Sequence, residues 1–414
     1  MLLTNVIARK IFNSRKEVTI SVIVESENKR VEASAPGGKS KGRYEVKDFS
    51  ARGIDFSISF INSLGKKLVN DKISFEKFED LEKIETLVKQ YDQTKNLEFI
   101  GGNALYAIET AVLKMMAISR GREMWSFLLE SKKPVIPRPV GNCIGGGMHV
   151  NQGKKTDFQE FLLLPKTEHF FDAFFMNSQA YKDAKKLLDE KDLFWQGHLT
   201  DENAMASTLS NEEILLMLSQ IRENVKKKFE VILDMGVDIA ASTFYDGLNY
   251  RYKNFSRTIK EKKLTPEEQN SYIVDLAREN NLAYIEDPLQ DEDFSGFANI
   301  TRRLKNALVV GDDLTCTRFD RVQKAIRDKA INALIIKPNQ VGSLIETKKV
   351  IDLAKKNEIV TIISHRSGET QDNALAHFAV GWRIPFIKTG IIGPERLAKL
   401  NEILRIERDV RQEI

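Results

Sequence analysis

Ala333-Leu334-Ile335-Ile336-Lys337 is a four-residue apolar run ended by a single charge. A run this short, rich in branched residues, reads as a strand buried on both faces. The same pattern recurs around it, at 161–164, 231–237, 282–285, 307–310, 359–363 and 386–387. Helix-like stretches lie between some of these runs, at 211–228, opened by a Ser210-x-x-Glu213 capping box, and at 266–280. Repeated strand-then-helix units predict a parallel sheet with helical crossovers, here an α/β barrel.

The residues that close each run carry the chemistry. Asp238 ends one, then come Glu286-Asp287, Gly311-Asp312-Asp313, Lys337, Ser364-His365-Arg366-Ser367 and Lys388. From Glu286 the steps to Asp312, Lys337, His365 and Lys388 are 26, 25, 28 and 23 residues, each about one βα unit. A barrel gathers the C-terminal ends of its strands around one mouth, so these residues should converge. Asp238, Glu286 and Asp312 form a hard oxygen set suited to Mg²⁺. Arg366, Ser367 and Lys388 suit an anion, the guanidinium by paired contacts. Lys337, leaving an apolar strand beside a divalent cation, should have its pKa lowered and act as a base. Together these parts suggest proton abstraction next to a carboxylate. Singly each has a plainer reading: an acid after a strand is commonly a helix N-cap, and a lone Lys a solvated charge.

Upstream the pattern differs. Stretches 18–25 and 30–35 read as an antiparallel pair around Glu27-Asn28, followed by helical patterns at 56–69, 75–91 and 103–119. In the last, Leu105, Ile108, Ala111, Val112 and Met115 recur at helical spacing as a core face. Pro134, Pro137 and Pro139 read as a linker, dividing a small α+β domain, 1–133, from the barrel, 134–414.

The chain has 414 residues with 63 Lys+Arg against 59 Asp+Glu, a formal charge of +4. The two signs are interspersed, without the basic stripe of a nucleic-acid binder. At 42% hydrophobic and 29% charged residues, a folded soluble protein is expected. Cys143 and Cys316 are the only cysteines, which gives no disulfide framework and fits a reducing cytoplasm. No leader pattern and no apolar run of membrane-spanning length occurs, so a cytoplasmic location without membrane partners is expected.

At its strand ends the chain resembles enolase, over nearly its whole length. Ser364-His365-Arg366-Ser367-Gly368-Glu369-Thr370 matches that family's S-H-R-S-G-E-T signature. The segment from Ile331 through Lys337-Pro338-Asn339-Gln340-Val341-Gly342 to Leu344 is similar to its N-A-L-L-L-K-x-N-Q-I-G-T-L segment. Gly311-Asp312-Asp313-Leu314 and Ile285-Glu286-Asp287-Pro288 match G-D-D-L and I-E-D-P, in the same order.

The resemblance implies an enolase-type barrel with one antiparallel strand near its start and a smaller N-terminal domain that supplies a lid. It implies reversible, Mg²⁺-dependent dehydration of 2-phospho-D-glycerate to phosphoenolpyruvate in glycolysis and gluconeogenesis. Asp238, Glu286 and Asp312 would hold the first Mg²⁺ and Lys337 would remove the C2 proton, a Lys-and-Mg²⁺ pairing that is a known property of this superfamily. Glu202, in Asp201-Glu202-Asn203-Ala204, would be the general acid, with Glu160 of Phe158-Gln159-Glu160-Phe161 beside it. Two close carboxylates raise one another's proton affinity, so one can stay protonated. Gln159 would join the substrate-binding residues. Arg366 and Ser367 would take the phosphate, Lys388 the carboxylate, and His365 would stand near the leaving hydroxyl. Gly145-Gly146-Gly147-Met148-His149 is similar to a loop that brings a histidine, here His149, over the substrate. Pro36-Gly37-Gly38-Lys39-Ser40-Lys41-Gly42 is similar to the lid, making Ser40 a ligand of a second Mg²⁺. Homodimers or octamers are the implied assemblies.

Several loop positions depart from the family. Gly37 and Lys41 replace Ser and Thr in the lid, and Asn203-Ala204 replaces a Gly-Gly pair. Ser207 replaces Pro, the segment between His149 and Glu160 is two residues longer, and Ser14-Arg15-Lys16-Glu17-Val18 stands for S-R-G-N-P-T. These changes leave two alternatives: a paralogue for another 2-phospho- or 2-hydroxy-carboxylate, and a non-catalytic scaffold that keeps the fold. The proposed site has five carboxylates (Glu160, Glu202, Asp238, Glu286, Asp312) against three fixed cations (Lys337, Arg366, Lys388), formally −2. Two Mg²⁺ would make it +2 and able to receive a phosphorylated acid.

Overall fold

The computed structural model describes residues 1–39, 41–129, 133–150 and 153–412. Three antiparallel strands begin the chain: β1 (Asn5–Phe12), β2 (Val18–Ser26) and β3 (Lys29–Ser34), in the order β1-β2-β3. β2 and β3 are the expected pair, turning through Glu27 at φ 52°. β1 was not expected. Only Val6 and Ala8 of it are buried, and Arg9-Lys10 interrupts any apolar alternation.

Helices α1 (Ile54–Asn70), α2 (Glu82–Tyr91), α3 (Gly102–Ser119) and α4 (Met124–Leu129) follow. The expected helix 75–91 is shorter because Asp80 caps its own approach. Its carboxylate accepts from the N–H groups of Glu76 (2.7 Å) and Lys77 (3.1 Å), while Phe75 N–H bonds the Met1 carbonyl. Helix α3 buries far more than one face. From Gly102 to Ala117 every residue except Lys114 is buried, because the helix packs on β2 and β3 and also meets the second domain.

The second domain contains β4 (Arg138–Gly145), β5 (Glu160–Lys166), α5 (Phe170–Lys191), the two-residue β6 (Met205–Ala206), α6 (Asn211–Phe229) and β7 (Ile232–Asp238). A small hairpin, β8 (Tyr250–Tyr252) and β9 (Lys262–Leu264), precedes α7 (Pro266–Glu279). Then come β10 (Leu282–Glu286), α8 (Phe294–Arg303), β11 (Leu308–Gly311), α9 (Phe319–Arg327), β12 (Ala333–Ile336), α10 (Pro338–Val341), α11 (Leu344–Lys356), β13 (Val360–Ser364), α12 (Ala374–Gly381), β14 (Phe386–Lys388) and α13 (Pro394–Gln412). The predicted caps hold: Ser210 accepts from the Glu213 N–H and Glu213 reaches back to the Ser210 N–H at 3.0 Å.

Eight strands close into a barrel in the order β4-β5-β7-β10-β11-β12-β13-β14, with β14 returning to β4. β5 runs antiparallel to both neighbours, and the other pairings are parallel. Val140, Leu162, Leu164, Tyr284, Val310, Ala333, Ile335 and Ile362 fill the interior, so the barrel is a packed core below its mouth. The proline-rich stretch is corrected here. Pro139 lies within β4, opposite Ile387, and the β4–β5 ladder begins only at Gly141↔Leu163. A residue without an N–H is tolerated where there is no ladder bond to lose.

The two domains are in close contact. Gly342 (φ 75°) lies so near Gly102 that a Cβ would stand 2.6 Å from its Cα. Gly37 and Gly368 exchange N–H···O bonds of 2.7 Å, pinning the glycine-rich loop to the barrel mouth. Among the described residues no helix is long and apolar enough to cross a membrane.

Candidate active site

The barrel delivers its polar residues as the spacing predicts. Asp238, Glu286 and Lys388 are the last residues of β7, β10 and β14, while Asp312, Lys337 and His365 directly follow β11, β12 and β13. Glu160 comes from the opposite end of its strand. Because β5 is antiparallel, its first residue lies at the mouth, in register with Asp238. One cavity is lined by His149, Gln159, Glu160, Glu202, Asp238, Asp312, Lys337, His365, Arg366, Ser367 and Lys388. Ser40 lies outside the described residues.

Two ammonium groups organise the carboxylates. Lys388 Nζ stands 2.8 Å from Glu286, 2.9 Å from Glu160 and 3.1 Å from Asp238. Burial disfavours its charge, but Asp238, Glu160 and Glu286 override that and raise its pKa well above the ordinary range. Lys337 Nζ pairs with Asp312 Oδ2, and Asp312 Oδ1 accepts from Gln340 at 3.2 Å. In the chain alone the Lys337 pKa is raised: burial pulls it down, yet the Asp312 carboxylate in contact prevails. The lowering expected from the sequence presupposes a divalent cation held by that same carboxylate.

The carboxylate set fits a hard divalent cation. Glu286 is fully buried, and among the described residues its Oε1 has no hydrogen-bond partner while Oε2 serves Tyr284 and Lys388. Burial and then Asp238 push its pKa up to about 8, a crowding of negative charge that a cation relieves. Asp287, Asp312 and Asp313 also bring carboxylate oxygens within 4.8 Å of one another. Asp287 accepts from the N–H groups of Asp312 (3.1 Å) and Asp313 (2.7 Å), fixing the turn that aims Asp312.

Glu160 and Glu202 form the second charge group. Glu202 accepts from Asn142 at 3.3 Å and lies 3.5 Å from His365 Nε2 and 3.8 Å from His149 Nε2. Burial opposes its ionisation, but His149 and His365 hold its pKa well below the usual range. Glu160 is pushed the other way, by burial and by Glu202, Asp238 and Glu286 against the pull of Lys388. Of the two carboxyls Glu160 therefore has the greater affinity for a proton. Burial lowers His365, whereas His149 is raised: burial opposes its charge, but Glu202 and Asp201 prevail, the latter 2.5 Å from Nδ1.

Gln159 reaches Asp238 at 3.4 Å. Arg366 is held on Glu45 at 2.9 and 3.1 Å and on Asn339 at 3.2 Å. Ser367 Oγ accepts from the Lys39 N–H at 2.8 Å and from Arg15 at 3.3 Å. Gly38 has no room for a side chain, since a Cβ would collide with the Arg366 guanidinium. Glu45, Asp201 and Arg15 were not singled out from the sequence. Asp201 sits beside Glu202 in one quoted motif and Arg15 within another, but Glu45 and Arg15 belong to N-terminal loops that only the tertiary fold brings to the mouth.

Comparison with known proteins agrees over both domains. A family model described as "Enolase, C-terminal TIM barrel domain" matches residues 133–414, and "Enolase, N-terminal domain" matches residues 3–128. The chain is 38% identical to the enolase of Methanosphaera stadtmanae over 408 residues, 97% of this chain and 96% of that one. It is 36% identical to the enolase of Picrophilus torridus over 403 residues, 97% of each. It is also 36% identical to that of Archaeoglobus fulgidus over 411 residues, 98% of this chain and 97% of that one. With both parts matched and its strand-end residues gathered at one mouth, the chain belongs to the enolase family.

Proposed function

We propose that this protein is a lyase carrying out the reversible dehydration of 2-phospho-D-glycerate to phosphoenolpyruvate in glycolysis and gluconeogenesis. The observation that carries this reading is a single cavity lined by Lys337, by Glu160, Glu202 and His365, and by Arg366, Ser367 and Lys388. That is a base, an acid group and an anion clamp in one enclosure.

Arg366 and Ser367 bind the phosphate, with Glu45 and Asn339 fixing the guanidinium. Lys388 meets the substrate carboxylate, and Gln159 and His149 complete the substrate contacts. Lys337, freed from Asp312, takes the proton from C2. The proton that lets the C3 hydroxyl leave as water comes from the Glu160–Glu202 pair, held with the greater affinity on Glu160 and handed on through Glu202, with His365 beside the departing oxygen. Asp238, Glu286 and Asp312 would hold Mg²⁺, which supplies positive charge where the substrate carboxylate becomes more negative. A second Mg²⁺, for which Ser40 would be a ligand, would supply further positive charge toward the substrate. Residues 1–133 serve as the lid domain and 134–414 as the catalytic barrel, in a cytoplasmic homodimer or octamer.

The test follows phosphoenolpyruvate by its ultraviolet absorbance, using the purified chain and 2-phosphoglycerate with Mg²⁺ or with a chelator. Mg²⁺-dependent product is expected; its absence sinks the reading.

A further inference from the structure

Asn203 stands directly after Glu202, where the resembling family has glycine. Its φ of 64° is left-handed, a conformation that Asn tolerates better than most side chains. Its side chain is also employed. Asn203 Nδ2 donates to Glu395 Oε1 at 3.2 Å, and the same oxygen accepts from Arg396 Nη1 at 2.8 Å. Arg396 is completely buried, and its Nη2 donates to the carbonyls of Ser367 (3.0 Å) and Arg366 (3.4 Å). Gly393, at φ 111°, leaves the space; a Cβ there would stand 2.4 Å from Asn203 Nδ2. The first turn of α13 therefore connects the loop bearing Glu202 to the main chain of the anion clamp. Glu395 and Arg396 are buried and Asn203 half-buried, and charge-assisted hydrogen bonds so placed make a stiff link.

We propose that Asn203 and Glu395 are positioning residues which, through Arg396, fix Glu202 relative to the Arg366–Ser367 clamp and so set the rate of hydroxide loss. This rests on the function proposed above. Lys337 lies outside the connection: its Nζ is held by Asp312 and its N–H by Thr317 Oγ1 at 3.0 Å. Proton abstraction and dehydration should therefore respond differently.

The experiment uses the full chain with Mg²⁺ and measures two rates, exchange of the C2 hydrogen with solvent deuterium and phosphoenolpyruvate formation. Asn203→Gly suits the left-handed backbone and removes only the tether. It should lower kcat for dehydration about 10-fold, with KM and C2 exchange within about 2-fold of wild type. Asn203→Asp sets a carboxylate against Glu395 and should lower kcat further. Adding Glu395→Gln to Asn203→Asp reverses the hydrogen bond and should restore kcat to within about 2-fold of wild type. Equal loss of exchange and dehydration in Asn203→Gly, full kcat in both single variants, or no rescue in the double variant would overturn the proposal. A wild-type chain showing neither exchange nor product would instead overturn the proposed function itself.

Discussion

Lys337 reaches one strand across the barrel mouth to Asp312, and the side chains of this ion pair are only 15% and 10% exposed. So placed, Lys337 holds its proton firmly, and a group that must accept a proton has first to be released from its carboxylate. A cation competing for Asp312 would do this, which couples the base to the metal set. Lys337→Ala should abolish both C2 exchange and dehydration, a fall of at least about 10³-fold. Lys337→Arg should be equally inactive, because a guanidinium keeps its proton. Solvent exchange at C2 followed by mass spectrometry checks both, and measurable exchange in either variant removes Lys337 from the role.

The carboxylates around Lys388 give a prediction about stability. A cation that binds only the folded chain stabilises it by mass action, about 2.7 kcal/mol at a hundred times its Kd. Mg²⁺ should therefore raise Tm in a saturable way. Glu286→Gln, which keeps the shape but loses the charge, should remove more than half of that rise. Thermal melts across a Mg²⁺ series, with a chelated control, provide the measurement. If the variant keeps the full rise, Glu286 is not a ligand.

The unequal carboxyls Glu160 and Glu202 predict unequal variants. His149 and His365 favour the charged form of Glu202, so Glu202→Gln removes a charge the site stabilises; burial and neighbouring carboxylates favour the protonated form of Glu160, so Glu160→Gln is the milder change. Dehydration should fall about 10³-fold in the first and about 10-fold in the second. C2 exchange should survive in Glu202→Gln. Loss of exchange alongside dehydration in that variant would mean that the residue serves binding or the first step.

The barrel strands were legible because each is a short apolar run closed by a polar residue. The run 333–336 coincides with β12, and 282–285 falls one residue short of β10. β4 was not legible, since Pro139, Gly141 and Asn142 break the pattern and its pairing with β5 and with β14 defines it. Convergence of Asp238, Asp312, Lys337 and Lys388 follows from strand ends alone. Glu160 does not follow from them, because its strand runs backwards and the residue precedes the apolar run. The resemblance supplied it. At Lys16 (φ 63°) and Asn203 (φ 64°) the backbone keeps the left-handed form although neither residue is glycine. The Glu45–Arg366 pair spans 321 residues, and no local pattern could announce it.

A last prediction concerns the seam between the domains, where Glu109 of α3 is wholly buried against the start of α11. Its Oε2 accepts from the Leu344 N–H at 2.6 Å, and the carboxyl faces that of Glu85. Burial, and then Glu85, raise its pKa well above the ordinary carboxylate value; Glu85 in turn pairs with Ser343 Oγ and lies 3.5 Å from Lys89. The folded chain thus holds a proton that the unfolded chain releases above its ordinary pKa of about 4.3. As pH rises past that value the unfolded state gains and stability falls, until the folded-state group itself ionises. Glu109→Gln keeps an oxygen for Leu344 and an N–H for Glu85 without a titrating proton. It should be about 1–2 kcal/mol more stable than wild type at pH 8 and equal to it below about pH 4. Urea melts at the two pH values decide it: a variant less stable at pH 8 would mean that Glu109 is ionised in the folded chain.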